Sequence, residues 1–296
     1  MSGTSQTRLD NRNFLWVWFV AVNATLLVAA LWVGAIGLLA PLIGFAGAFL
    51  SLFFAKWLAI KAHGIRVIEP ALFRSDAERD LHAIVSDVAT RAGLETMPAV
   101  GVYDSPDVNA FATGASQSRS LVAFSSQLLA KLTPAEIKAV AAHEVAHIAN
   151  RDMLAIVLLQ GAINSIVLAV VAPLNLFRVA NQFSDRFSFG AEVCLWLAKT
   201  AVALALTFVG GLMVEAFSRR REFRADALAA RIVGHDAMIG ALTAIAKDDA
   251  AIPRGQLGYA AFKIAGRSPW GEFFSTHPTL ERRVVALRAA VPQDQV

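Results

Sequence analysis

Residues 132–152 read LTPAEIKAVAAHEVAHIANRD, and the fold of the chain is decided there. Thr133, Pro134 and Glu136 give a capping box with proline at the first helical position, and small or apolar residues follow almost without a breaker through Ala149. The pattern predicts a helix that carries His143, Glu144 and His147, in the order H-E-x-x-H, well inside its length. Side chains four apart on a helix lie about 40° apart around its axis, so both imidazoles can converge on one metal ion with Glu144 beside them. That is the layout of a zinc hydrolase, with the glutamate as general base for water attack.

Two histidines do not complete such a site. A metzincin would continue the motif with Gly and His, but those positions are Asn150 and Met153. Catalytic zinc otherwise takes two histidines and a carboxylate and keeps one position for water. Downstream, SRRREFRADALAARIVG (218–234) predicts a helix stopped by Gly234, with Glu222 and Asp226 four apart on one face. Glu222 is read as the third ligand, and Asp226 as the acceptor that orients a ligand histidine. The competing reading of this stretch is an arginine-rich surface helix held by Glu/Arg pairs.

The remainder of the chain is organised by lipid. Of 296 residues, 56% are hydrophobic and only 17% charged, too apolar for an ordinary soluble protein. The net charge is +4, and the basic residues stand at segment ends without interleaved aromatics. They fit membrane orientation and exclude a nucleic-acid interface. The single cysteine, Cys194, rules out an intrachain disulfide and a Cys-rich zinc site, and is read as inert packing.

Phe14 to Ala55 contains no charged residue and is long enough to cross twice, with Gly34, Gly37 and Pro41 as the expected turn. It is too long for a cleaved signal peptide. Arg8 and Arg12 before it, and Lys56, Lys61 and Arg66 after it, place both ends in the cytoplasm. Met153–Phe177 is a third apolar segment, and Val193–Val214, interrupted by Lys199, a fourth. His147 and Glu222 must share a side, so the intervening chain crosses an even number of times. The metal is therefore expected beside the bilayer surface.

Between these segments, Ser75 and Glu78 predict a capping box opening a helix to about Arg91. PAVGVYDS, VNAFATG and SLVAFSS then predict a small sheet, its last two strands joined by a turn around Gly114–Arg119. A free edge of that sheet would hold an extended peptide by backbone pairing; equally, the sheet would serve only to pack on the active-site helix. The expected architecture is a mainly α membrane protein of four transmembrane helices with an α+β catalytic domain. Its divisions are a cytoplasmic N-terminus (1–13), a transmembrane hairpin (14–60), a first catalytic part (61–152), a second hydrophobic pair (153–217) and a second catalytic part (218–296).

The N-terminal hairpin, VNAFATG, HEVAHIANRDM, SRRREFRADALA and STHPTLERRV together resemble the HtpX-type membrane metallopeptidases, relatives of the CAAX prenyl endopeptidases. The resemblance implies a gluzincin-like domain on the cytoplasmic face of a bacterial inner membrane. It further implies one zinc ion per chain and a heat-shock role in cleaving misfolded or damaged membrane proteins at their cytoplasmic loops. Carried over, it makes His143, His147 and Glu222 the ligands and Glu144 the base. Asn109 would lie on the substrate side, with His277 and Arg283 as substrate or transition-state contacts. Partners would be membrane or unfolded proteins and the bilayer, and a homo-oligomer is compatible with the pattern. Readings from other classes are a silent scaffold with structural zinc, and a transporter component lined by Asn23, Gln160 and Lys199.

Overall fold

The structure, a computed structural model, describes residues 35–181, 189–251 and 278–290. Helix α1 (Ala35–His63) is followed by strand β1 (Arg66–Val67), helix α2 (Asp76–Arg91), and strands β2 (Ala99–Tyr103), β3 (Ala110–Thr113) and β4 (Leu121–Ser125). Then come helices α3 (Ser126–Lys131), α4 (Pro134–Ala149), α5 (Asp152–Asn181), α6 (Phe189–Val233), α7 (His235–Ala251) and α8 (Leu280–Ala289). The chain divides into two compact units, one of Met1–Ser51 with Ala155–Val214, the other of Leu52–Leu154 with Glu215–Val296.

The second unit is built on a mixed sheet in the order β1-β2-β4-β3. β2 runs parallel to β4, while β1 and β3 pair antiparallel to their neighbours. β4 is the central hydrophobic strand, with all five residues buried, and β3 is an edge. One face of the sheet packs on Leu81, Val85 and Val88 of α2 and on Ala139, Val140 and Val145 of α4, joined by Ala229, Met238 and Leu242. On the other face Ile65, Tyr103, Leu121 and Ala123 meet Ala59 and Ile60 of α1. Burying a sheet on both faces explains why β4 reads as a continuous apolar run with no alternation.

The helix starts follow the sequence closely. Thr133 Oγ1 accepts from the Glu136 N–H and the Glu136 carboxylate accepts from the Thr133 N–H at 2.8 Å, so the box that opens α4 is complete. At α2 only half of the expected box forms. Ser75 Oγ accepts from the Glu78 N–H, but the Glu78 carboxylate turns to the Arg74 N–H and to Arg66 on β1. A cross-element ion pair has taken the side chain that the local motif would have used.

Three described helices are long and apolar enough to cross a membrane: Leu42–His63, Asp152–Val171 and Gly190–Val233. The first arm of the expected hairpin lies outside the described residues. Gly37 and Pro41, expected in its turn, are instead inside α1. The helices run past the ends of the third and fourth apolar segments, since α5 continues to Asn181 and α6 starts at Phe189. The fourth apolar segment and the ligand helix, read as separate pieces, form one 45-residue helix. Between Gly211 and Gly234 there is no glycine or proline, so nothing stops helix propagation where composition changes from apolar to basic. Cys194, expected to pack, is exposed on α6.

In the first unit the helices meet through small residues, as lipid-embedded helices do where close backbone approach replaces hydrophobic driving force. A side chain on Gly44 would place its Cβ 2.3 Å from Ser165 Oγ and 2.6 Å from the Ser165 backbone nitrogen. One on Gly161 would meet the Phe45 ring, and one on Gly210 would meet Ile163. Gly47, one turn from Gly44, has nothing within 4 Å of such an atom. Gly44→Leu is therefore expected to cost about 1–3 kcal/mol of stability and to lower the melting temperature in detergent. Gly47→Leu is expected to leave it unchanged, and equal effects of the two would contradict the packing.

Candidate metal centre

His143 and His147 project from one face of α4, and Glu222 reaches the same point from α6. All three are buried, Glu222 completely. The imidazole planes are nearly perpendicular, at 85°, with Nε2 atoms 3.2 Å apart. Glu222 sets one oxygen 3.5 Å from each Nε2. Glu144, next to His143, is only partly buried and keeps access to solvent.

The other edge of each ring is committed to a carboxylate. His143 Nδ1 lies 3.0 Å from Asp226 Oδ1, and His147 Nδ1 lies 2.6 Å from Asp152 Oδ2. Asp226 is in turn gripped by Arg283 of α8, whose Nε and Nη2 donate to its two oxygens at 2.7 and 2.6 Å. Burial opposes charge on His143, but its contacts with Asp226 and Glu222 outweigh this and push it up to about 9. Burial opposes charge on Asp226 as well; donation from Arg283 and His143 nonetheless holds it below the usual carboxylate range. Arg283 is raised, because its pairing with Asp226 overrides desolvation.

These contacts test whether a metal fits. With both Nδ1 positions donating to carboxylates, both Nε2 lone pairs face each other and an anionic oxygen pair. Such a group is repulsive unless a cation or a proton sits among its members. In the metal-free chain the proton held by His143 plays that part. The donor set is suited to a divalent ion.

The structure thus brings together His143, Glu144, His147, Glu222, Asp226 and Arg283. Asn109 is exposed at the entry to β3, bonded through its backbone to Ser125 on β4. Arg283 is turned to Asp226, with Nη2 also 3.5 Å from His143 Nδ1. His277 lies outside the described residues. Asp152 was missed by the sequence reading. Its signal was faint: an acidic residue at the head of an apolar segment, five positions after the second histidine.

The profile of peptidase family M48 matches residues 75–291. The chain is 39% identical to a protease HtpX of Tolumonas auensis over 259 residues, covering 86% of this chain and 87% of that one. It is 40% identical to a protease HtpX of Aeromonas hydrophila over 249 residues, covering 83% and 84%. The fold resembles the crystal structure of Ste24p from S. mikatae, with a TM-score of 0.63 at 16% identity, over 97% of this chain and 67% of that one.

The proton on His143 gives a pH prediction. Its folded value lies above the free value of about 6.5, so its contribution to metal-free stability is complete below that pH and is lost as pH rises through about 9. The melting temperature of chelator-treated protein should accordingly fall across that interval. Because a metal must displace the same proton, affinity should rise about tenfold per pH unit between 7 and 9. A competitive-chelator titration at several pH values measures this; an affinity independent of pH would contradict it.

Proposed function

The chain belongs to peptidase family M48, in its HtpX-like branch, and from that premise we propose that it is a membrane-bound zinc endopeptidase cleaving membrane proteins at cytoplasmic loops. Family membership and the buried His143, His147 and Glu222 cluster make it a metalloendopeptidase acting on protein substrates. The observation that carries the reading is that these three donors, from two distant helices, converge with Glu144 alongside them.

Zinc is favoured over other divalent ions by donor type and spacing. Two nitrogens and one carboxylate are its usual catalytic set, and tetrahedral bonds of about 2.0–2.1 Å separate ligand atoms by about 3.3 Å. The observed separations are 3.2 and 3.5 Å. Zinc so held supplies a Lewis acid that acidifies water and polarises the scissile carbonyl. Glu144, partly exposed beside His143, takes the proton from the attacking water and later delivers it to the leaving amine. Arg283 acts through Asp226, holding that carboxylate against His143 Nδ1. His277 is assigned as an oxyanion donor from its place in the STHP segment.

Substrate is held in extended form on the edge of β3 that is unpaired among the described residues and packs beside α4, with Asn109 at the strand's entry. Backbone pairing reads little sequence, as suits an enzyme that acts on unfolded or damaged chains in a heat-shock role. Membrane substrates are favoured because α5 begins five residues after His147, and Glu222 shares α6 with an apolar segment. Arg219, Arg220 and Arg221, following that segment, favour a catalytic part facing the cytoplasm of a bacterial inner membrane. A fourth crossing is proposed for residues 14 to about 34 on their uncharged, apolar sequence alone.

Glu144→Gln is expected to reduce cleavage of an unfolded membrane protein by about 10²–10⁴-fold while retaining one zinc per chain. Cleavage at the wild-type rate would end the general-base assignment. A zinc-loaded wild type that cleaves nothing would favour a scaffold. The membrane preference has its own test: the same loop presented in a lipid-embedded protein should be cut faster than in a soluble fusion, and equal rates in lipid would remove it.

A further inference from the structure

Among the buried carboxylates of the described residues, Glu222 and Asp226 have places in the reaction, and Glu78 joins β1 to α2. Asp152 does not yet have one. It is fully buried, its Oδ2 is 2.6 Å from His147 Nδ1, and its Oδ1 has no hydrogen-bond partner among the described residues. Its one ion-pair partner among the described residues is His147.

Reaching His147 requires an unusual backbone. On an unbroken helix a residue five positions on lies about 140° around the axis, facing away. Here α4 ends at Ala149, and Arg151 adopts the left-handed conformation at φ 57° before α5 starts at Asp152. That conformation is strained for a residue other than glycine. The reversal returns the Asp152 carboxylate to the outer edge of the His147 ring.

We propose that Asp152, the first residue of a membrane-crossing helix, is a positioning residue for the metal: it holds His147 in the Nδ1–H tautomer, aims Nε2 at the ion and strengthens that nitrogen as a ligand. The two histidines are not equivalent in this. Asp226 shares its charge with the Arg283 guanidinium, so His143 receives a partly neutralised partner. Among the described residues Asp152 pairs only with His147, at a shorter distance. A carboxylate behind a ligand histidine raises its basicity and fixes its orientation, and loss of such a partner typically weakens metal binding by about 10–100-fold.

The inference rests on the zinc reading above, and the test separates the two. Full-length wild type, Asp152→Asn and Asp152→Glu, in detergent or nanodiscs, are titrated with zinc against a competing chelator, and cobalt-substituted samples are read for their visible d–d bands. Asn matches Asp in shape and starts helices as well, but accepts the Nδ1–H without charge. Asp152→Asn is expected to bind zinc about 10–100-fold more weakly, to shift the cobalt bands, and to regain cleavage when zinc is added in excess, with KM for peptide unchanged. Asp152→Glu, which keeps the charge but displaces it by one methylene, should fall between. If Asp152→Asn also lowers the metal-free melting temperature, the zinc-induced rise in melting temperature decides, and it should be smaller than in wild type. Zinc affinity within threefold of wild type, with unchanged cobalt bands, would overturn the role of Asp152 alone. A wild type that binds no zinc would overturn the metal reading with it.

Discussion

Two imidazole Nε2 atoms and a carboxylate, held together in a buried pocket, form an arrangement that opposes itself. Each group alone would prefer water, and together their lone pairs repel, so the surrounding fold must fix them in place. The fold supplies this from behind, where each Nδ1 meets a carboxylate and Asp226 meets Arg283. The sheet against α4, the reversal at Arg151 and the docking of α8 all serve that one constraint. A divalent cation held by His143, His147 and Glu222 would convert the repulsion into cohesion, and it would compete with a proton for the same atoms.

Rigidity comes from ordinary elements used at full strength. α4 is capped at its start by Thr133 and Glu136 and buried along most of its length by alanines and valines. Small side chains let it approach β3 and α2 closely, so the histidines cannot wander. Glu222 and Asp226 ride one turn apart on α6, so a single helix delivers both a ligand and the partner of another ligand. α6 is continuous from its apolar part through this turn, so Glu222 stands on a helix long and apolar enough to cross a membrane.

Much of this was legible in the sequence because the signals are local. The H-E-x-x-H helix, its caps, the Glu222–Asp226 pair and the apolar segments all depend on periodicities within one element, and the structure brings those residues together. Where the reading went astray, a longer-range effect intervened. Glu78 left its capping box for the Arg74 N–H and for Arg66 on another element.

The sequence by itself determined which residues could gather around a metal ion and which segments are long and apolar enough to cross a membrane, because ligand spacing and hydrophobic run length are properties of neighbouring residues. Only the tertiary structure decided what stands behind the ligands. Arg283 was placed on Asp226 by the packing of α8, and Asp152 on His147 by a left-handed turn at a residue that carries no glycine signal. Helical periodicity points Asp152 away from the site; a reversal of the backbone, set by packing on both sides of it, points it in.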